Sequence, residues 1–133
     1  MIVADTNVIA YFSIHTDCSA LAEAVCAVDS IWAAPLLWRS EFRATLMKYI
    51  NHAGMNFETA ISSLRVAEEA IAGREYTVDA RKVLELAMQS KCSAYDCEYV
   101  ALAQDLGVPL VTTDKQILRV FPKTAVSMEK FVK

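Results

Sequence analysis

Glycine and proline are scarce in this chain, three of each in 133 residues, which excludes a linker-rich or disordered polypeptide and predicts long helices with short connections. A membrane-length apolar run is missing too. The longest, Ile31 to Trp38, falls far short of the roughly 18 residues a span requires. Asp5 interrupts the N-terminus before a signal-peptide core can form. The expectation is one soluble, cytoplasmic domain over residues 1–133, long enough to bury a core without staples.

Metal-ligand patterns built on cysteine and histidine are also lacking. Cys18, Cys26, Cys92 and Cys97 sit in helical sequence at spacings that match no zinc motif, so they read as reduced, small apolar residues. His15 and His52 lie in no ligand motif and read as surface or structural residues. The net charge of −3 argues against a general nucleic-acid coat, but the charge is unevenly spread. Residues 115–133 carry Lys115, Arg119, Lys123, Lys130 and Lys133 against Glu129, a net +4, which leaves −7 on residues 1–114. Such a basic stretch either solvates exposed faces or guides a phosphate backbone toward an acidic centre.

What the chain does have is alternation of short apolar runs with longer helical patterns, the signature of an α/β domain whose parallel sheet is covered on both faces. Strands are predicted at Ile2 to Ala4, Ile31 to Ala33, Glu75 to Val78, Pro109 to Thr112 and Ala125 to Ser127. Helical patterns fill the gaps. "LLWRSEFRATLMKYINHAG" closes at Gly54, "NFETAISSLRVAEEAIAG" opens at Asn56 as N-cap and stops at Gly73, and "SAYDCEYVALAQDLG" ends at Gly107. In "TVDARKVLELAMQS" the apolar residues Val83, Leu84, Ala87 and Met88 fall on one side.

Two of the apolar runs end in an aspartate. Asp5 follows the first strand and Asp114 the fourth, and in open α/β sheets the ligand crevice lies beyond the carboxyl ends of the strands where their order reverses. Glu41 lies early in the helix after the second strand, and Asp96 early in the helix before the fourth. Four acids separated by 36, 55 and 18 residues thus converge at one sheet edge if the first and fourth strands are neighbours. Each also has an ordinary reading: Asp5 and Asp114 as helix caps, Glu41 as a partner of Lys48 or of a base beside Arg43, Asp96 as an exposed charge with a basic partner. Convergence would be costly. Two like charges about 4 Å apart at an effective dielectric near 20 repel by roughly 4 kcal/mol, a large part of the roughly 5 to 15 kcal/mol that stabilises a domain. The acids must share protons, spread apart or hold cations. Oxygen donors without His or Cys suit Mg²⁺ or Mn²⁺, and such ions support phosphodiester hydrolysis.

The segments "MIVADTNVI", "SEF", "SAYDCEYVALA" and "PLVTTD", in this order and at this spacing over nearly the whole chain, resemble the PIN domain family, in particular its small VapC-type toxin ribonucleases. The resemblance implies a three-layer α/β/α domain with a central five-stranded parallel sheet. It implies four acids that bind Mg²⁺ or Mn²⁺ and cut RNA, matched here by Asp5, Glu41, Asp96 and Asp114, with Asp5 and Asp96 favoured as direct ligands. Thr112 matches the family's hydroxyl position, and Asn7 a polar position after the first aspartate; both are candidates to orient an acid or a water. A homodimer and a small cognate antitoxin that occludes the cleft are implied as partners, and the aromatic residues Trp38, Phe42 and Tyr49 with Met47 either feed such an interface or form core. An RNA-processing nuclease outside toxin systems is an alternative role.

Other acids read as peripheral. Glu98 is expected on a different helix face from Asp96 and solvated, Asp105 on the surface, and Asp17, Asp29 and Asp79 in caps or turns. Arg39, Arg43, Lys115 and Arg119 flank the acids and read as surface cations or phosphate contacts. Two further classes compete with a nuclease. A haloacid-dehalogenase-type phosphatase also starts from a strand ending in Asp but needs a second acid two residues on, where this chain has Asn7. A non-catalytic interaction module would keep the fold without turnover.

Overall fold

Strand β1 (Ile2–Ala4) sits in the middle of a five-stranded parallel sheet ordered β3-β2-β1-β4-β5, with β2 at Trp32–Pro35, β3 at Glu75–Tyr76, β4 at Leu110–Val111 and β5 at Ala125–Val126. The computed structural model describes residues 1–133. Helices α1 (Thr6–Ser13), α2 (Ser19–Val28), α3 (Trp38–His52) and α4 (Phe57–Ile71) connect β1 to β2 and β2 to β3. Helices α5 (Ala80–Ser90) and α6 (Ala94–Leu106) carry the chain from β3 back past β1 to β4, and α7 (Lys115–Val120) and α8 (Met128–Phe131) complete it.

The layers follow from crossover handedness. Right-handed connections leaving β1 toward β2 and β3 place α1 to α4 on one face; the return across the sheet places α5 and α6 on the other. In agreement, α1 packs on α2, α3 and α4, whereas α6 lies over β1, β2 and β4 with α5 against it. The result is the three-layer α/β/α architecture. Covered on both faces, β1 reads as an unbroken apolar run, and Ile2, Val3 and Ala4 are each 0% exposed. Trp32, Trp38, Phe42 and Leu110 fill the same core.

Strand β1 matches its predicted range, while β3, β4 and β5 are shorter than the sequence predicts and β2 is longer. β2 runs to Pro35 rather than stopping at Ala33, and β3 pairs only where it faces Ala34 and Pro35; beyond Pro35 the chain turns into α3, so Thr77 and Val78 have no strand beside them. The side of α5 is also corrected. Val83 is buried with Leu86 and Ala87 packed beside it, but Leu84 and Met88 are exposed, because α5 is an outer helix that covers α6 alone. Of the aromatic set on α3, Trp38 and Phe42 are core and Met47 is exposed. All three glycines adopt positive φ; at Gly107 this αL residue closes α6, its N–H reaching back to Gln104 O at 3.2 Å. No helix is long and apolar enough to cross a membrane.

Candidate active site

The strand order reverses between β1 and β4. Their register pairs Ala4 with Val111, so the next residues, Asp5 and Thr112, meet at the carboxyl edge of the sheet. Asp5 N–H donates to Val111 O at 3.1 Å, and Thr112 Oγ1 donates to Asp5 Oδ2 at 2.6 Å. The other carboxylate oxygen, Oδ1, accepts Thr6 N–H at 2.7 Å as the N-cap of α1. Asp5 is thus held at both oxygens.

Asp114 follows two residues after Thr112, at the start of the next helix. Its Oδ1 accepts Gln116 N–H at 2.8 Å and Ile117 N–H at 3.0 Å, capping α7, and its own N–H donates to Thr112 Oγ1 at 3.0 Å. The fully buried Thr112 hydroxyl therefore ties the two strand-end aspartates together. Capping and site placement coexist in both residues.

Glu41 comes from the first turn of α3 and Asp96 from the first turn of α6. Glu41 Oε1 accepts Tyr99 OH at 2.6 Å; Thr6 Oγ1 lies 3.0 Å from the same oxygen and also against the Tyr99 hydroxyl, so its single proton serves one of these two acceptors at a time. Asp96 N–H donates to the Ser93 N-cap at 3.0 Å. Asp5, Glu41, Asp96 and Asp114 line one open pocket of about 260 Å³, together with Lys48 and Asn7. No ion pair reaches any of the four acids; neither Lys48 nor a neighbour of Arg43 neutralises Glu41.

The charges register in the titration of the acids. Asp5 is pushed up to about 6, first by burial, with Glu41 and Asp96 adding like charge against the opposing effect of the Thr112 and Thr6 hydrogen bonds. Asp96 is raised by burial and by the charges of Asp114 and Glu41, against its Ser93 contact. Tyr99 is raised by burial and by its donation to Glu41, which fixes it as a neutral hydroxyl donor.

Metal fit is decided by the donor set. No three Asp, Glu, His or Cys side chains stand close enough together to enclose an ion, which argues against a dry, all-protein cage. Oxygen-only donors spaced around a water-accessible pocket fit Mg²⁺ or Mn²⁺, ions that keep several waters and take one or two carboxylates directly.

Several sequence expectations change here. Asn7 does not orient an acid: its amide reaches Thr113 Oγ1 at 3.5 Å from an exposed position. Arg39 is committed to Glu75, with Nε to Oε1 at 2.7 Å and Nη2 to Oε2 at 2.9 Å, so it is not a free phosphate contact. Glu98 is half-buried, not solvated, and is raised by burial and by the charge of Glu41. Asp105 is a surface residue bonded to Lys82 at 2.6 Å, and Asp79 caps α5, as read. Thr6 and Tyr99, which hold Glu41, were not singled out by the sequence. The available signal was a tyrosine within an otherwise aliphatic buried stripe, because a buried phenol must find a partner.

No protein-family model and no curated protein matches this chain. Among solved structures it is similar to the crystal structure of PAE2754 from Pyrobaculum aerophilum, with a TM-score of 0.79 and 19% identity over 98% of this chain and 92% of that one. At that identity the likeness shows the shared fold.

Proposed function

We propose that this chain is a divalent-metal-dependent endoribonuclease of the PIN type, acting in the cytoplasm as the homodimeric toxin of a toxin–antitoxin pair. The observation that carries the reading is the meeting of Asp5, Glu41, Asp96 and Asp114, from four separate parts of the chain, in one pocket where none of them forms an ion pair. A purely structural role would not keep such a group at a sheet edge, since each pair of nearby carboxylates is repulsive. The toxin role, the antitoxin and the dimer rest on the motif resemblance alone.

Asp5 and Asp96 are the direct ligands in this reading, with Glu41 and Asp114 acting directly or through water. When bound, Mg²⁺ or Mn²⁺ supplies an acidified water and charge neutralisation at the scissile phosphate. The chain's own part is positioning. Thr112 fixes Asp5 against Asp114, Tyr99 and Thr6 fix Glu41, and the open pocket admits an extended strand. In this reading hydrolysis is attack of water on phosphorus with cleavage of one phosphorus–ribose oxygen bond, the departing oxygen taking up a proton as the water gives one up, and with no covalent enzyme intermediate.

The test is cleavage of a fluorescently labelled single-stranded RNA by the purified protein, with Mn²⁺ and with chelator. Cleavage is expected only with the metal, and Asp5→Asn is expected to abolish it while keeping the fold. Wild-type activity in Asp5→Asn overturns the assignment.

A further inference from the structure

One side chain in the acidic pocket has the opposite charge. On α3 the residues Glu41, Ala44, Thr45 and Lys48 follow the i, i+3, i+4, i+7 spacing of one helix face, and all four line the pocket. Lys48 is the only cation among its lining residues. Its ammonium pairs with no carboxylate within 4.0 Å, although four are in the same cavity. Thr45 turns its hydroxyl to Glu41 O at 3.0 Å, and Ala44 is small, so nothing bulky separates Lys48 from the acids along the helix.

An exposed lysine whose only task was solvation would not need to face this cavity. Arg43 shows the contrast. It is an exposed cation on the same helix, but two residues from Glu41 it projects from another face, bonds Ser40 Oγ at 3.3 Å and does not line the pocket.

We propose that Lys48 is a positioning residue that holds a phosphate of a single-stranded RNA two helical turns from Glu41, setting which backbone linkage lies over the four acids; this rests on the ribonuclease reading. A lysine ammonium offers three N–H donors and a compact charge suited to a phosphate oxygen. Placed at the far end of the pocket, it counters the repulsion that four carboxylates exert on an incoming polyanion without neutralising the acids themselves. It does not touch the reacting atoms, so its contribution lies in binding rather than in the chemical step.

The experiment separates the two claims. Binding of a fluorescein-labelled single-stranded RNA 20-mer is followed by anisotropy in Mn²⁺ over a range of salt, using Asp5→Asn protein with and without Lys48→Ala; Arg43→Ala in the same background is the control. Lys48→Ala is expected to weaken binding about tenfold and to reduce the slope of log K against log salt by about 0.7, the value for one lost phosphate contact on a single strand. Lys48→Arg restores both, and Arg43→Ala changes neither. In otherwise wild-type protein Lys48→Ala raises KM with kcat within twofold. Unchanged affinity and salt slope in Lys48→Ala overturn the proposal while leaving a Mn²⁺-dependent nuclease standing. An RNA that binds through Lys48 but is never cut by wild-type protein overturns the nuclease reading and leaves the phosphate contact. No measurable RNA binding overturns both.

Discussion

Thr112 Oγ1 donates to Asp5 Oδ2 at 2.6 Å and accepts Asp114 N–H at 3.0 Å, so a single buried hydroxyl fixes the spacing of the two strand-end aspartates. Thr112→Val keeps the shape of the side chain and removes both bonds. Because Asp114 N–H loses its partner, a loss of about 1–3 kcal/mol is expected in urea unfolding. The Asp5 carboxyl, relieved of a hydrogen bond that favours its ionised form, is expected to titrate above its present value of about 6; carboxyl NMR titration reads this directly. An unchanged Asp5 titration in a folded Thr112→Val protein would show that the hydroxyl does not control the acid.

In metal-free protein the contribution of Asp5 to stability is expected to fall as pH rises. Asp5 titrates near 6 in the folded chain against 3.8 as the reference value, so between these values the native state binds the extra proton and stability falls with increasing pH. A shift of this size corresponds to about 3 kcal/mol, lost between pH 4 and 6 and level above. Asp5→Asn should flatten this part of the profile, measured by chemical denaturation at fixed pH values in chelator.

Divalent ions should reverse that trend. Mn²⁺ requires ionised carboxylates, so it is expected to raise the unfolding temperature more at pH 7 than at pH 5. At one hundred times its dissociation constant the gain is about 2.7 kcal/mol. Asp96→Asn and Asp5→Asn should each reduce the gain, while a surface change such as Asp105→Asn leaves it intact. Equal stabilisation of all these variants would place the ion elsewhere.

Glu41 accepts the Tyr99 hydroxyl, and Thr6 Oγ1 shares its one proton between Glu41 and Tyr99. Tyr99→Phe and Thr6→Val are each expected to cost about 1–2 kcal/mol and to slow RNA cleavage by leaving Glu41 free to swing. The double variant should cost less than the two singles added, since each change disturbs the same network. Additive costs would mean the two hydroxyls act independently.

The sheet and the two strand-end acids were legible in the sequence for a common reason, whereas Glu41, Asp96 and Thr112 were marked by the resemblance of their segments to PIN domains. A strand buried on both faces must be a short apolar run, and a charge at its end must be where the chain leaves the core; "IVAD" and "PLVTTD" announce both. Partners chosen by long-range packing were not legible. Tyr99 reads as one more apolar position on α6, and only the placement of α3 shows that its hydroxyl meets Glu41. Likewise Leu84 and Met88 fit a helical stripe, but an outer helix buries only the part of its stripe that has something to cover.

Pairing of β1 with β4 brings Asp5 beside Thr112, residues 107 apart in the chain. A ribosome makes Asp5 long before it makes Asp114. Until β4 and Thr112 have been made the polypeptide cannot close the pocket, however well its first helices have formed. In the ribonuclease reading, that topology withholds competence until the segment carrying Thr112 and Asp114 has been made and has paired with β1.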